Sequence, residues 1–203
     1  AVGMTKLLAH TFEQVERTHP GFRMLREPAA STLDFSKADT TASSEEIVNL
    51  QESFGIIFRE QLRTQHSDIH MAGSLAAWNN SGESQLAQRL GEQAEQQGAS
   101  KAEFILNWLQ CYFKLLVPST LTLLFKHGVV LEPHLQNTVL ATSNGLPVQV
   151  WIRDLEGTKL IPQHWPHERL KNLSERAIAS VHYSADQGWK RVSYCLLVNN
   201  IAE

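Results

Sequence analysis

The stretch HGVVLEPHLQN, residues 127–137, decides the fold when it is read with the segment that follows. After it comes TVLATSNGLPVQVW, residues 138–151, in which two β-prone runs flank Asn144-Gly145, a strong hairpin turn signal. IRDLEG, residues 152–157, completes the return of the chain. A hairpin brings its two ends together, so the sequence predicts that Asn137 and Asp154 lie close to each other.

The polar residues at the base of this hairpin are of the types that bind metal or phosphate. An amide oxygen and a carboxylate can hold Mg²⁺, which in turn neutralises phosphate charge. Zinc is the less favoured metal, because the spacing of His127, Glu132 and His134 resembles no common zinc signature. Two structural interpretations stay open: a polar helix end at which His127 caps carbonyls, and an ion pair between Arg153 and Asp154.

The same block resembles the signature of the NRPS-independent siderophore (NIS) synthetases of the aerobactin-synthetase type. The matching positions are a Glu-x-His-x-Gln-Asn core and an Arg-Asp pair: Glu132, His134, Gln136, Asn137, Arg153 and Asp154. Looser similarities at 22–27, 56–60 and 194–199 extend the resemblance over most of the chain. The family pattern is much longer, so the resemblance implies the C-terminal part of such a protein, with the ATP-phosphate segment in a missing N-terminal part.

The resemblance implies an ATP- and Mg²⁺-dependent ligase of siderophore biosynthesis, acting in the cytoplasm in iron acquisition. Similar enzymes convert a carboxylate of citrate or a related acid into an acyl-adenylate, from which an amine or alcohol then displaces AMP. By position, Glu132, Asn137 and Asp154 would hold Mg²⁺ and, together with His134 and Gln136, the nucleotide. His134 and Arg153 would be catalytic, with Arg153 orienting Asp154 or contacting an anion. The resemblance also allows a homodimer, and it implies that the chain on its own is inactive.

Two alternatives from other functional classes remain. A kinase-like phosphotransferase also carries His-Gly followed by Asn, a β segment and Asp, but Glu132 and His134 stand where that class would have its catalytic aspartate. A non-catalytic helical binding module is the other. Motifs typical of serine hydrolases, dithiol redox proteins and P-loop proteins do not occur in the sequence.

Composition limits the partners. The chain has 203 residues, a net charge of −3, and no run of Lys or Arg, which disfavours a nucleic-acid or anionic-membrane surface. No apolar run in the sequence approaches transmembrane length, so no membrane partner is expected. Cys111 and Cys195 lie in apolar helical patterns, which predicts buried free thiols in a reducing compartment.

The predicted fold is α+β and predominantly helical, a palm-like helical domain (81–203) interrupted by the hairpin at 138–153. A smaller mixed α/β segment (1–80) precedes it and would continue the missing N-terminal lobe. Within this frame, 29–44 is predicted to be a loop, the helical or strand pattern lapses over 66–82, and 79–82 is predicted to be an exposed connection. Ser100 and Glu103 are predicted to form a capping box, Pro118 to begin a new helix, and Gln187-Gly188 to break one.

Overall fold

A computed structural model describes residues 1–35, 41–62, 64–66, 68–171, 173 and 175–202. The chain is α+β with more helix than strand, and this confirms the predicted fold class. The α-helices are α1 (Val2–Thr18), α2 (Ser44–Ser53), α3 (Ala72–Ala76), α4 (Gln85–Gln96), α5 (Lys101–His127), α6 (Glu175–Val181) and α7 (Ala185–Ser193). The strands are β1 (Phe22–Met24), β2 (Ala29–Thr32), β3 (Gly55–Phe58), β4 (Asp68–Met71), β5 (Val129–Val130), β6 (Thr138–Ser143), β7 (Leu146–Ile152) and β8 (Lys159–Leu160).

The predicted hairpin is the centre of a four-stranded sheet with the order β1-β7-β6-β4. Strands β6 and β7 are antiparallel, with Thr138 opposite Ile152, and they are joined by Asn144 (φ 51°) and Gly145 (φ 74°). Two consecutive positive φ angles are those of a type I′ turn, whose twist matches that of the strands. The hairpin prediction is therefore confirmed. Strand β1 lies parallel to β7, and β4 lies antiparallel to β6.

Two segments without a clear sequence pattern contain strands: β2 lies in the predicted loop at 29–44, so that assignment was wrong there, and β4 lies in the stretch where the pattern lapses. The exposed connection predicted at 79–82 is confirmed. Strand β2 pairs with β3 and is exposed along its whole length, while β4 is a largely exposed edge strand that leads directly into α3. Without burial, no alternation of apolar residues is required, so the period-two signal is missing. Residues 36–40 of the predicted loop lie outside the described residues. The central sheet takes strands from both sides of residue 80, and the division there stays a proposal.

Helix α5 is one continuous helix of 27 residues, and the predicted new start at Pro118 was wrong. Proline removes the N–H that would bond the carbonyl of Lys114. In the same turn the Ser119 hydroxyl donates to the carbonyls of Leu115 (2.8 Å) and Leu116 (3.0 Å). Because one face of α5 is buried, the helix continues past Pro118. The predicted capping box is also absent, because Ser100 makes no side-chain cap and the exposed first turn can be satisfied by water.

One face of α5 lies in the main core. Contrary to the expectation from the sequence, its length and apolar composition meet those of a membrane span, although its buried side chains pack in the protein's own core. The helix ends at Gly128, whose φ of 65° is the left-handed conformation expected of a terminating glycine. The buried α5 residues are Phe104, Trp108, Tyr112, Leu116, Ser119, Thr120, Leu123 and Leu124.

The C-terminal region continues through a short 3-10 helix (His167–Leu170), α6 and α7 to a π-helix at Tyr194–Ala202. The predicted break at Gln187-Gly188 was wrong, because α7 passes through it. Gln187 completes a capping box with Ser184 at the start of the helix. Gly188 is buried, and a Cβ there would lie 2.9 Å from Cγ2 of Val130. This glycine permits close packing of α7 against β5 instead of ending the helix.

Candidate functional site

The signature loop, residues 131–137, connects β5 to β6 and is held by residues distant in sequence. The backbone N–H of Leu135 donates to the carbonyl of Asn199 (3.1 Å), and that of Gly73 donates to the carbonyl of Leu135 (3.1 Å). From the π-helix, Asn200 Nδ2 donates to the carbonyl of Pro133 (2.8 Å). The loop is thus fixed between α3 and the C-terminal π-helix.

The two signature segments adjoin at the base of the hairpin. The backbone N–H of Arg153 donates to the carbonyl of Asn137 (3.0 Å), and its Nε donates to the carbonyl of Gln136 (3.1 Å). Asn137 is buried, and its Nδ2 donates to the carbonyl of Glu132 (3.2 Å). The backbones therefore come together as the hairpin requires. That the side chains of Asn137 and Asp154 reach one cation stays a prediction.

Arg153 is bound to the signature loop. Besides the carbonyl of Gln136, its Nη2 contacts Sδ of Met71 at 3.9 Å. No Arg153–Asp154 ion pair occurs among the described residues, so the structural ion-pair interpretation has no support there. The contacts of Arg153 stabilise the junction between the two segments.

Asp154 adopts a backbone conformation that is uncommon outside glycine. Its φ is 68°, and its Oδ1 accepts a hydrogen bond from the N–H of Glu156 (3.3 Å). Short polar side chains tolerate this region at a cost, and such residues concentrate at functional sites. The following N–H, that of Leu155, donates to Oε2 of Glu27 at 3.1 Å. The turn that presents Asp154 is therefore tied to a carboxylate from the N-terminal part of the chain.

That carboxylate, Glu27, has an exposure of 0%, and its charge is paired with Arg59 at 2.7 Å. The simplest expectation from the sequence, ion pairs between the neighbours Arg26 and Glu27 and between Arg59 and Glu60, is wrong. Arg26 instead lies 3.2 Å from Glu16 and 3.7 Å from Glu60.

Glu132 forms an ion pair with Arg191 of α7, with Oε1 3.0 Å from Nη1. Arg191 Nη2 also donates to the hydroxyl of Tyr183 (3.3 Å), and this hydrogen bond raises the pKa of Arg191. Burial lowers the pKa, and the negative charge of Glu132 raises it. A Cβ on Gly157 would lie 2.8 Å from Cδ of Glu132. The sequence does not predict this pair, because 59 positions separate Arg191 from Glu132 and no local pattern connects them.

Cys195 lies near the same ion pair and is buried. Burial raises the pKa of its thiol, the Glu132 carboxylate raises it further, and Arg191 opposes the shift. Because the thiolate is the nucleophilic form, a thiol held protonated in this way is not suited to covalent catalysis. Cys111 is only half-buried, so the prediction of burial is confirmed for Cys195 alone.

His134 and Gln136 line an open cleft of about 420 Å³, which is completed by Met71, Gly73, Leu135 and Asn199. His127 does not line this cleft. Its carbonyl accepts from Nε1 of Trp165 (2.7 Å), and burial, with Lys126 and His164 nearby, lowers the pKa of its ring. The signature residues thus divide between a cleft and the hairpin base beside it.

The donor chemistry of Glu132, Asn137 and Asp154 suits a hard cation such as Mg²⁺, since all three offer oxygen. Each uses one polar atom in the contacts above: Oε1 of Glu132, Nδ2 of Asn137 and Oδ1 of Asp154. The side-chain oxygen that remains in each residue, Oε2 of Glu132, Oδ1 of Asn137 and Oδ2 of Asp154, is the atom that could ligate. Groups of three or more His, Cys, Asp or Glu arranged to hold a metal do not occur among the described residues.

A family model described as "Ferric iron reductase FhuF-like transporter" matches residues 106–203. The match contains the signature loop, the hairpin, the Asp154 turn and the C-terminal helices. The fold and the loop therefore define a FhuF-like domain, the C-terminal domain type of NIS synthetases.

Similar proteins point to the same family. The chain is 27% identical over 202 residues to L-2,3-diaminopropanoate–citrate ligase of Staphylococcus aureus, covering 98% of this chain and 33% of that protein. It is 29% identical over 154 residues to aerobactin synthase of Escherichia coli, covering 72% and 24%. The chain thus spans about a third or less of the length of these relatives.

Among solved structures, aerobactin synthetase IucA of Klebsiella pneumoniae is similar with a TM-score of 0.78 at 22% identity, covering 98% of this chain and 35% of that one. Its ATP-bound form is similar with a TM-score of 0.77. The domain match and the relatives confirm the family predicted from the sequence, the NIS synthetases, and the solved structures show that the fold is shared.

Proposed function

We propose that this chain is the C-terminal part of an ATP- and Mg²⁺-dependent siderophore synthetase that works in the cytoplasm. It would adenylate a carboxylate of citrate or a related acid and condense it with an amine or alcohol. The observation that carries the proposal is the junction of the two signature segments, where Arg153 bonds the carbonyls of Gln136 and Asn137 and Asp154 follows with φ 68°. The relatives' names, which include two citrate or aerobactin ligases, support the same substrate class.

The described residues suggest distinct roles. His134 and Gln136 line the cleft and would contact the reacting carboxylate and phosphate. Arg153 holds the signature loop through the Gln136 carbonyl, and its guanidinium places positive charge beside that cleft. Such charge, fixed before the reaction, stabilises a transition state in which anions approach one another.

Arg191 would position Glu132. Its ion pair, supported by Tyr183, orients the carboxylate beside Gly157. Glu132, Asn137 and Asp154 would hold Mg²⁺, which offsets the negative charge of the ATP phosphates when bound. This assignment makes Arg191 a positioning residue that keeps Glu132 from moving toward solvent.

The proposed reaction has two steps. A carboxylate oxygen attacks the α-phosphorus of ATP, forming an acyl-adenylate while the bond to pyrophosphate breaks. The nucleophile's nitrogen or oxygen then attacks the acyl carbon, AMP leaves, and the nucleophile gives up its proton. The products are therefore AMP and pyrophosphate, whereas a kinase-like phosphotransferase would release ADP.

The test is Asp154→Asn in the full-length protein. The substitution keeps the side-chain shape and tolerates a positive φ but removes the charge, so citrate-dependent pyrophosphate exchange should fall by about two or more orders of magnitude. The matched control is Asp186→Asn, whose carboxylate pairs with Lys190 on the surface of α7. The control should keep full exchange. Near-normal exchange in the Asp154 variant would overturn the metal assignment, and release of ADP would favour the kinase alternative.

A further inference from the structure

An apolar pocket of about 150 Å³ lies between α3, α4 and α5 and is not explained by the signature residues. The ring of Trp78 stands at its rim with 72% exposure, and Trp108 forms part of its wall. Among the described residues that line the pocket, none carries a charge. The others are Ala72, Leu75, Ala76, Ser84, Leu86, Leu109, Tyr112, Phe113, Leu135, Leu140, Asn200 and Ile201.

The polar atoms deep in this pocket already have partners. The Tyr112 hydroxyl donates to Oδ1 of Asn200 (2.6 Å), and Nδ2 of Asn200 donates to the carbonyl of Pro133 and to Oγ1 of Thr138. Burial raises the pKa of Tyr112, so its hydroxyl keeps its proton. Because these polar atoms already bond to each other and to the protein, a molecule in the pocket would mainly contact carbon atoms.

The pocket and the signature cleft share a wall. Leu135, which stands between His134 and Gln136, lines both. In α3, Ala72 lines the pocket and its neighbour Gly73 lines the cleft. In the π-helix, Asn200 lines the pocket and its neighbour Asn199 lines the cleft. Because the two spaces adjoin at these residues, one end of a molecule in the pocket would lie close to the cleft.

We propose that this pocket binds the hydrocarbon part of the amine or alcohol that attacks the acyl-adenylate. The inference rests on the proposed function and adds the chemical class of the nucleophile. A cavity of this volume with aliphatic and aromatic walls has room for about one benzene ring. The nucleophile would carry a single ring or a short carbon chain, with its reacting nitrogen or oxygen toward His134 and Gln136. A charged group within the chain would have no partner in the pocket.

The first arm measures binding in the 203-residue chain, with benzene as the probe and the fluorescence of the pocket tryptophans as the signal. Saturable binding is expected. Ala76→Leu, which adds three carbons at the pocket wall, should weaken it at least tenfold. Ala77→Leu is the matched control, because Ala77 follows directly in sequence and does not line the pocket. It should bind benzene as the unaltered chain does.

Phe113→Leu is the reciprocal variant, because it removes part of the wall. It should bind p-xylene at least threefold more tightly than the unaltered chain does. This variant keeps the proposal testable if Ala76→Leu does not fold. Absence of saturable benzene binding, or equal weakening by Ala76→Leu and Ala77→Leu, would overturn the pocket as a ligand site.

The second arm uses the full-length protein with its amine or alcohol substrate. Ala76→Leu should raise KM for the nucleophile at least tenfold, while carboxylate-dependent pyrophosphate exchange without nucleophile stays unchanged. If exchange is present and KM does not move, the inference fails and the proposed function stands. If exchange is absent from the unaltered protein, the proposed function fails. Ala77→Leu should leave both measurements unchanged.

Discussion

Replacing Arg59 with methionine should destabilise the protein by about 2–4 kcal/mol. The guanidinium of Arg59 lies 2.7 Å from Oε1 of Glu27, which is completely buried, so the variant leaves a carboxylate in the interior without its cation. Breaking a buried pair in this way costs roughly 3–5 kcal/mol. The Arg59 side chain is 35% exposed, so water can reach part of the site and the expected cost is lower.

Urea denaturation followed by tryptophan fluorescence measures this loss, analysed as a two-state transition. Glu27→Gln removes the charge but keeps an oxygen for the N–H of Leu155. In that background Arg59→Met should cost less than about 1 kcal/mol, which gives a coupling energy of at least about 1 kcal/mol. The control is Lys190→Met, whose ion pair with Asp186 lies on the surface, with 73% of the lysine side chain exposed. It should cost no more than about 0.5 kcal/mol.

The same variant has a local consequence at the Asp154 turn. Glu27 holds the N–H of Leu155, so hydrogen exchange at Leu155 should accelerate more than at the centre of the hairpin. Two results would refute the reasoning. The first is a loss as small as that of Lys190→Met. The second is a cost of Arg59→Met in the Glu27→Gln background as large as in the unaltered protein, because the buried charge would then not be the cause.

Three further predictions concern other parts of the chain. Gly157→Ala should cost no more than about 1 kcal/mol, because the new Cβ would lie 2.8 Å from Cδ of Glu132 and this flexible side chain can move away. The movement should loosen the Glu132–Arg191 pair and raise the Mg²⁺ requirement of the full-length protein, and an unchanged requirement would contradict this. Stability should fall below pH 6.5, since burial, with Lys126, lowers the pKa of His19 and His127, so the unfolded chain takes up protons that the folded chain resists. Urea midpoints from pH 8 to 5 test this, and the double His→Gln variant should flatten that part of the curve. The 203-residue chain alone should release no citrate-dependent pyrophosphate, because the phosphate contacts expected from the N-terminal part are missing. Each such contact contributes about 1.5–3 kcal/mol, so losing several weakens ATP binding by orders of magnitude. Robust AMP formation would show that the resemblance misplaced the active site.

Local sequence signals predicted those elements whose cause is itself local. Asn144 and Gly145 adopt the positive φ angles that a type I′ turn requires, and Gly128 ends α5 in the left-handed conformation. The same local rules failed where packing outweighed them. Pro118 lies inside α5, because the buried face of that helix favours a continuous helix. Gly188 lies inside α7, because it allows close contact with Val130.

The sequence by itself determined the hairpin and the signature that identifies the family, because each is encoded in neighbouring residues. Only the tertiary structure decided which partners hold that signature in place. Glu27 reaches the turn at Asp154 from 127 positions away along the chain, and Arg191 pairs with Glu132 from another helix. Such contacts depend on how the sheet and helices pack, and charge pairing between elements leaves no period in the sequence. For the same reason the apolar pocket behind Leu135 appears only when α3, α4 and α5 come together.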